Sequence, residues 1–288
     1  MILLLPVTIL LLGVVALPVI SIKTRARVTH IVALVMAGTY LLITASLQWY
    51  QPVTITVPLW QPVPLFGAEL GYHADSLSLL FALLTGLGLL AGILSMDDLA
   101  RSKDDLSHLY RGIFLVAAGG ASLVFSADLL TLCLSWGFLD LGLVFLTGFL
   151  HRGKAPSRTG LRLLIINYIG GIALLASLLL LEALGESFSL RAPLLPTKVF
   201  ALLLLAALLR LGLYPALVAL PSDLEMNLPT LITWYVTPLA AGGYLLARVL
   251  TPGSVASPPS REVVLLVGSL ALVLSPFPLW LETSLRRT

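Results

Sequence analysis

The 288-residue chain is poor in charge: Asp, Glu, Lys and Arg together make up 11% of it. Soluble domains carry about 25%. A surface that keeps a globule of this size dissolved cannot be built from so few charges, because most of a folded protein's polar residues must face water. A secreted enzyme, a nucleic-acid-binding domain and a disordered chain are therefore excluded as readings. There is a single cysteine, Cys133, inside an apolar run, so no intrachain disulfide is possible. No low-complexity tract interrupts the chain. The first twenty residues lack both a basic n-region and an A-x-A-like cleavage site, and they read as a retained helix rather than a signal peptide. What fills the sequence instead is AVILMFWYC, at 58%. Lipid is the solvent such a composition demands.

A transmembrane helix needs about 20 mostly apolar residues. Nine runs qualify, at about 1–21, 28–49, 74–95, 109–126, 128–150, 161–183, 197–219, 229–250 and 262–281. The fourth and fifth are joined only by Ser126, Ala127 and Asp128, which predicts an antiparallel hairpin. With the N-terminus outside, the inner segments hold twelve Lys and Arg residues and the outer ones four: Arg191, Lys198, Arg248 and Arg261. That bias sets the orientation and places the C-terminus inside. The expected fold is thus an all-α integral membrane protein, a polytopic bundle of about nine spans in a bacterial cytoplasmic membrane. Between the second and third spans, Val53 to Val57 alternates β-branched residues and prolines punctuate Gln51 to Pro64, which predicts a short extended stretch or hairpin on the outer face.

Several patterns are better read as packing than as chemistry. Gly86 to Ala91 spells the letters of a dinucleotide-binding turn, but it lies mid-span rather than between a strand and a helix. Close helix packing through small residues explains it, and explains Gly119-Gly120, Gly170-Gly171 and Gly242-Gly243 as well. The four histidines, His30, His73, His108 and His151, lie near span boundaries without metal-ligand spacing. No zinc, haem or other cofactor is expected to bind this chain.

The intramembrane charges carry more information. An ionisable group in hydrocarbon costs at least ~2.5 kcal/mol, so it has a partner or a hydrated path. Asp140 lies roughly 18 Å into the fifth span at about 1.5 Å per residue. Arg210 lies at similar depth in the seventh, with the opposite sign. The pair is either a structural staple or part of an ion relay. Pro215 and Pro221 follow Arg210 and predict a broken helix there, the kind of break that membrane proteins tolerate beside a hydrated cavity. Pro229 and Pro238 repeat the theme in the next span.

The same residues carry a family resemblance. Ala74-Asp75-Ser76-Leu77-Ser78-Leu79-Leu80-Phe81, then Asp128-Leu129-Leu130 leading to Trp136 and Gly148-Phe149, then Gly160-Leu161-Arg162 through Asn167 and Gly170, then Arg210 to Pro215 with Leu220-Pro221, and finally Gly243-Tyr244-Leu245-Leu246-Ala247-Arg248 run in order. They resemble the motifs of the antiporter-like membrane subunits of respiratory complex I and of Mrp-type antiporters, above all the large subunit at the distal end of the complex I arm. The resemblance implies a five-helix antiporter-like module at 109–250 containing the proline-broken helix. Three N-terminal spans with the outer extended segment 51–73 precede it at 1–108. A last span and basic inner tail follow at 251–288. Full-length members have about fourteen helices in two inverted repeats, so a C-terminally shortened member is expected.

In the family a buried glutamate and lysine drive translocation. Here the glutamate position is Gly137, and Asp140, about 60° round the helix, is placed to stand in for it. The lysine position is Arg210, which does not readily release its proton. Arg162 replaces a lysine, the eighth-helix histidine is absent, and Trp234-Tyr235 occupies that region. The resemblance implies Asp140 and Arg210 as the translocation pair, with Arg162 and Asp128 as accessory sites. It implies proton or cation movement within an NADH:quinone oxidoreductase-like or Mrp/hydrogenase-type assembly, with redox cofactors on partner membrane subunits. The alternatives are a non-pumping structural subunit of the same assembly and an unrelated small transporter.

Overall fold

The structure, a computed structural model, describes residues 2–23, 26–57, 70–96, 103–150, 158–185, 189–190, 195–211 and 228–250. Within them lie eight α-helices: α1 (Leu5–Lys23), α2 (Ala26–Ser46), α3 (Ser76–Leu94), α4 (Lys103–Val124), α5 (Leu129–Leu150), α6 (Arg158–Leu184), α7 (Thr197–Arg210) and α8 (Leu228–Val249). Two strands, β1 (Val53–Val57) and β2 (Leu70–Ala74), pair antiparallel between α2 and α3, with Val53 opposite Ala74 and Val57 opposite Leu70. The run of β-branched residues in β1 favours a strand over a helix, which suits its place between α2 and α3.

Each of the eight helices overlaps one of the first eight runs read from the sequence, the seventh only as far as Arg210; the ninth, at 262–281, lies outside the described residues, as do Pro215 and Pro221 and the break they predict. Five segments among the described residues are long and apolar enough to cross a membrane: Ile2–Ser21, Arg27–Tyr50, Ser76–Leu94, Leu129–Leu146 and Asn167–Leu184. The sequence count was higher for local reasons. The charged first turn of α4 leaves a shorter apolar stretch, His108–Val124. Helix α8 mixes Thr230, Thr233 and Thr237 with Pro229, Pro238 and Arg248. Helix α7 is described only as far as Arg210.

Helix α4 is the hub. It packs against α1, α5, α3 and α8, and α6 leans mainly on α7. Glycine allows the tightest of these approaches. A β-carbon on Gly119 would stand 2.5 Å from the Cα of Leu139, and one on Gly142 would stand 2.9 Å from the backbone N of Val116, so α4 and α5 touch backbone to backbone. Gly86 likewise admits Tyr40 and Leu41 of α2. Lateral faces remain greasy: Leu12, Val15, Val35, Leu42, Leu141 and Ile172 are all exposed. A surface of that kind belongs against acyl chains or other helices.

The hairpin fastens one end of the bundle. Backbone bonds run from His73 N–H to Phe125 O and from Ala127 N–H to Gly71 O. The Asp75 carboxylate caps α3, accepting from Ser78 N–H at 2.9 Å, while the Ser78 hydroxyl lies 2.8 Å from Asp75 N–H in a reciprocal capping box.

Candidate functional site

Midway along α5, Asp140 faces the last residue of α7. Arg210 Nη1–H donates to Asp140 Oδ1, and the two form an ion pair. The Arg210 side chain is fully sealed, whereas that of Asp140 is 14% exposed. The guanidinium carbon sits 4.4 Å from the ring centroid of Trp136, which lies one turn before Asp140 on the same helix. The ring faces of buried aromatics attract a desolvated cation by about 2 kcal/mol. Small residues shape the nest. A β-carbon at Gly170 of α6 would come within 3.0 Å of the Trp136 ring, and one at Gly242 of α8 within 3.1 Å of Arg210 Cβ.

The pair is incompletely satisfied. Among the described residues, Arg210 Nε and Nη2, the bidentate edge of the guanidinium, have no hydrogen-bond partner, and neither has the indole N–H of Trp136. Buried donors of this kind mark places where water or another polar group belongs. Beside them a groove of about 230 Å³ opens between α5 and α6, lined by Cys133, Trp136, Gly137, Asp140, Tyr168 and Gly171 among others. At Gly137 itself nothing lies within 4 Å of where a β-carbon would stand. The position where the resemblance has a glutamate is thus open space, and the carboxylate that meets the cation comes from three residues further along.

The accessory residues have different fates. Asp128 caps α5: Oδ1 accepts from Thr131 N–H at 2.7 Å, and Oδ2 accepts from the Thr131 hydroxyl and from Gly71 N–H, both at 2.8 Å. Burial pushes its carboxyl above the ordinary value, and these hydrogen bonds only partly offset that. It joins hairpin to helix at the bundle end and does not meet the Asp140–Arg210 pair. Arg162 belongs to α6, but its side chain lies outside the described residues.

A second ion pair was not foreseen. Arg248, at the end of α8, donates from Nη1 to Asp75 Oδ2 at 2.8 Å and from Nη2 to Asp75 Oδ1 at 3.0 Å, the two-point geometry that suits guanidinium and carboxylate. Arg248 Nη2 also reaches the Tyr244 hydroxyl at 3.1 Å. Burial works to raise the Asp75 carboxyl, but the Arg248 guanidinium and Ser78 outweigh it and hold the group well below the usual carboxylate range. Both residues stand in motifs that carry the resemblance, so the signal was there; pairing a cap residue with a helix end 173 positions away needed the fold. Among the described residues no three His, Cys, Asp or Glu side chains gather to hold a metal ion.

Known proteins share this fold. The family model for the transmembrane region of NADH:quinone oxidoreductases and Mrp antiporters matches residues 126–288. Na(+)/H(+) antiporter subunit A1 of Staphylococcus haemolyticus is 31% identical over 224 residues, covering 73% of this chain and 27% of that protein. The corresponding subunit of Staphylococcus aureus is 30% identical over the same length, with 28% of it covered. The chain therefore spans little more than a quarter of the curated relatives it matches. Among solved structures, an archaeal membrane-bound sulfane sulfur reductase contains a chain that superposes with a TM-score of 0.70 at 18% identity, over 91% of this chain and 45% of that one. Respiratory complex I from Thermus thermophilus gives 0.66 at 22%, over 93% and 57%. The Mrp complex of a Dietzia species gives 0.65 at 20%, over 85% and 28%. The chain belongs to the NADH:quinone oxidoreductase/Mrp antiporter transmembrane family.

Proposed function

We propose that this chain is a membrane subunit of a complex I-like, Mrp-type or hydrogenase-type assembly and contributes to its proton or cation translocation, with Asp140 and Arg210 as the charged couple. The observation that supports the reading is the pair itself: opposite charges midway through a helical bundle, the cation sealed, with three N–H donors left for water or another acceptor. Ionisable groups at such depth are expensive and mark ion pathways. An arginine serves as a fixed charge rather than as a proton donor, and Arg210 takes that part here. In this reading Asp140 carries the proton, and it lines the α5/α6 groove. Residues 109–250 form the module that carries this couple. Electron-transfer groups, where the assembly has them, reside on partner subunits.

A second reading, a packing subunit that no longer translocates, draws on one specific observation: Gly137 and Arg210 stand where the resemblance has a glutamate and a lysine. Replacing Asp140→Asn and Arg210→Ala separately in the assembled complex, and recording proton movement into vesicles, separates the two. Translocation by the first reading falls in both variants while the complex still assembles. Unchanged proton movement with intact assembly refutes the couple's role and leaves the packing reading.

A further inference from the structure

At the hairpin end of the bundle a second groove, of about 210 Å³, lies between α2 and α3. Thr44 of α2 lines it, with Gln48 and Gln51 just past the end of that helix, and Ser76, Leu79 and Leu83 line it from α3. Its two ends differ in character. At the start of α3 the Ser76 hydroxyl donates to Gln51 Oε1 at 2.9 Å, and the Gln48 amide is exposed. Over the next about 10 Å of α3, at about 1.5 Å per residue, the lining turns to leucine. The depth of this change is marked independently. Trp49 and Tyr50, next to Gln48, are 82% and 58% exposed, and exposed aromatics of that kind gather where membrane meets water. The layer between hydrocarbon and water is about 5–7 Å thick on each side of a bilayer. Thr44 lies about 6 Å along the helix from Gln48, at the inner edge of that layer. Its hydroxyl is buried and has no hydrogen-bond partner among the described residues. Tyr40, one turn earlier, gives its own hydroxyl proton to Ala82 O at 2.9 Å. A buried hydroxyl in that state marks a place where another polar group belongs.

We infer that the α2/α3 groove is the binding site of one diacyl phospholipid from the leaflet on the hairpin side. Gln48 and Gln51 bring amide N–H donors to its phosphate. The Thr44 hydroxyl donates to a glycerol-ester carbonyl one interfacial layer deeper, and the first methylenes of one acyl chain lie along Leu79 and Leu83. The remainder of the molecule stays in the bilayer. A phospholipid passes from polar to apolar over the same few ångströms as the groove does. It also carries an ester acceptor at the depth of Thr44 in every molecule. A helix of a partner subunit bonds its carbonyls internally and offers no such acceptor from its backbone. The site stands on the embedding of the chain in lipid alone and does not depend on the role given to Asp140 and Arg210.

The test extracts the full chain from vesicles of phosphatidylethanolamine and phosphatidylglycerol into mild detergent and counts retained phospholipids by native mass spectrometry. Three variants accompany the parent: Thr44→Val, Leu83→Trp, which fills the groove, and Leu179→Trp, on an exposed face of α6. The parent and Leu179→Trp should each keep one phospholipid. Occupancy should fall about fivefold or more in Thr44→Val, at the scale of one lost hydrogen bond, and vanish in Leu83→Trp. Valine keeps the shape of threonine, and the Thr44 hydroxyl has no described protein partner to lose, so a merely structural Thr44 leaves occupancy unchanged. That result overturns the site. A parent chain that retains no phospholipid overturns it too, as does equal loss in Leu179→Trp, which would make the effect one of general packing. In the assembled complex, a phospholipid with a diazirine in its acyl chain should label residues 79–83. Labelling that is abolished there by assembly would mean that a partner helix fills the groove, and the lipid site would fall.

Discussion

The sealed pair makes a double-mutant cycle unusually informative. Replacing Asp140→Leu strands a guanidinium whose side chain has no exposed surface and whose Nε and Nη2 already lack partners. Arginine cannot escape by losing its proton. Removing one partner of such a pair costs about 3–5 kcal/mol. The reverse change, Arg210→Met, leaves a carboxylate that is 14% exposed and keeps part of its solvation, so its cost is smaller, about 1–3 kcal/mol. The double variant removes both charges and replaces them with apolar side chains of similar volume, which is commonly neutral or stabilising. Its stability should lie within about 1 kcal/mol of the parent chain, giving a coupling of at least ~2 kcal/mol between the sites. The measurement is reversible unfolding of the four proteins in mixed micelles, followed by circular dichroism. Costs that simply add would show that the two charges do not share one desolvated environment, and the argument for the couple would fail.

Three further outcomes follow from the coordinates. Gly119→Ala drives a methyl to 2.5 Å from the backbone of Leu139 and should destabilise the chain by about 1–3 kcal/mol, whereas Gly137→Ala meets nothing and should stabilise it by about 0.5–1 kcal/mol through helix propensity; thermal unfolding of both variants checks the contrast. Gly242→Ala presses on Arg210 Cβ and Leu211 N–H at 3.1 and 3.0 Å, and should slow proton movement in the assembled complex more than the matched change Gly137→Ala does. The Asp75 carboxyl is held below its ordinary value in the folded state, so its contribution is fully present above the unfolded carboxylate range near pH 4 and is lost as pH falls below it. The stability difference between the parent and Asp75→Asn should therefore be flat from pH 5 to 8 and shrink on acidification below about pH 4.

Helix positions were legible because lipid-soluble runs of about 20 residues have few other uses. The hairpin was legible because Val53 to Val57 is a poor helix. The facing of Asp140 and Arg210 followed from depth and sign, two quantities that a rise of about 1.5 Å per residue makes readable. What stayed hidden depends on rotation and long-range register. Asp75 and Arg248 are separated by most of the chain, and only the packing of α3 against α8 brings them together. Asp128, named as an accessory site from the resemblance, accepts from donors in the hairpin and the first turn of α5, within reach of a cap and not of the pair.

The substitutions at the pair make sense together and not singly. Moving the acid from 137 to 140 shifts it about 4.5 Å along the helix and about 60° round it. A lysine reaches its partner through a single ammonium, whereas arginine offers a planar fork that can bond on one edge while its other edge stays open. In this chain Nη1 meets Asp140 and the Nε–Nη2 edge remains unoccupied, with Trp136 supporting the ring face. A cation that can itself be deprotonated gives a pair two ways to move a proton. A permanent cation leaves only one, through the acid, and also keeps that acid poised by a charge that does not change during turnover. Under the proposed function, Arg210 is a positioning residue and Asp140 the sole proton carrier of the couple. Arg210→Lys should then preserve proton movement while adding an alkaline limb to its pH profile, from a second group that can now release its proton. A profile identical to that of the parent would mean that a permanent charge at 210 does not position the acid, and the positioning role would fall.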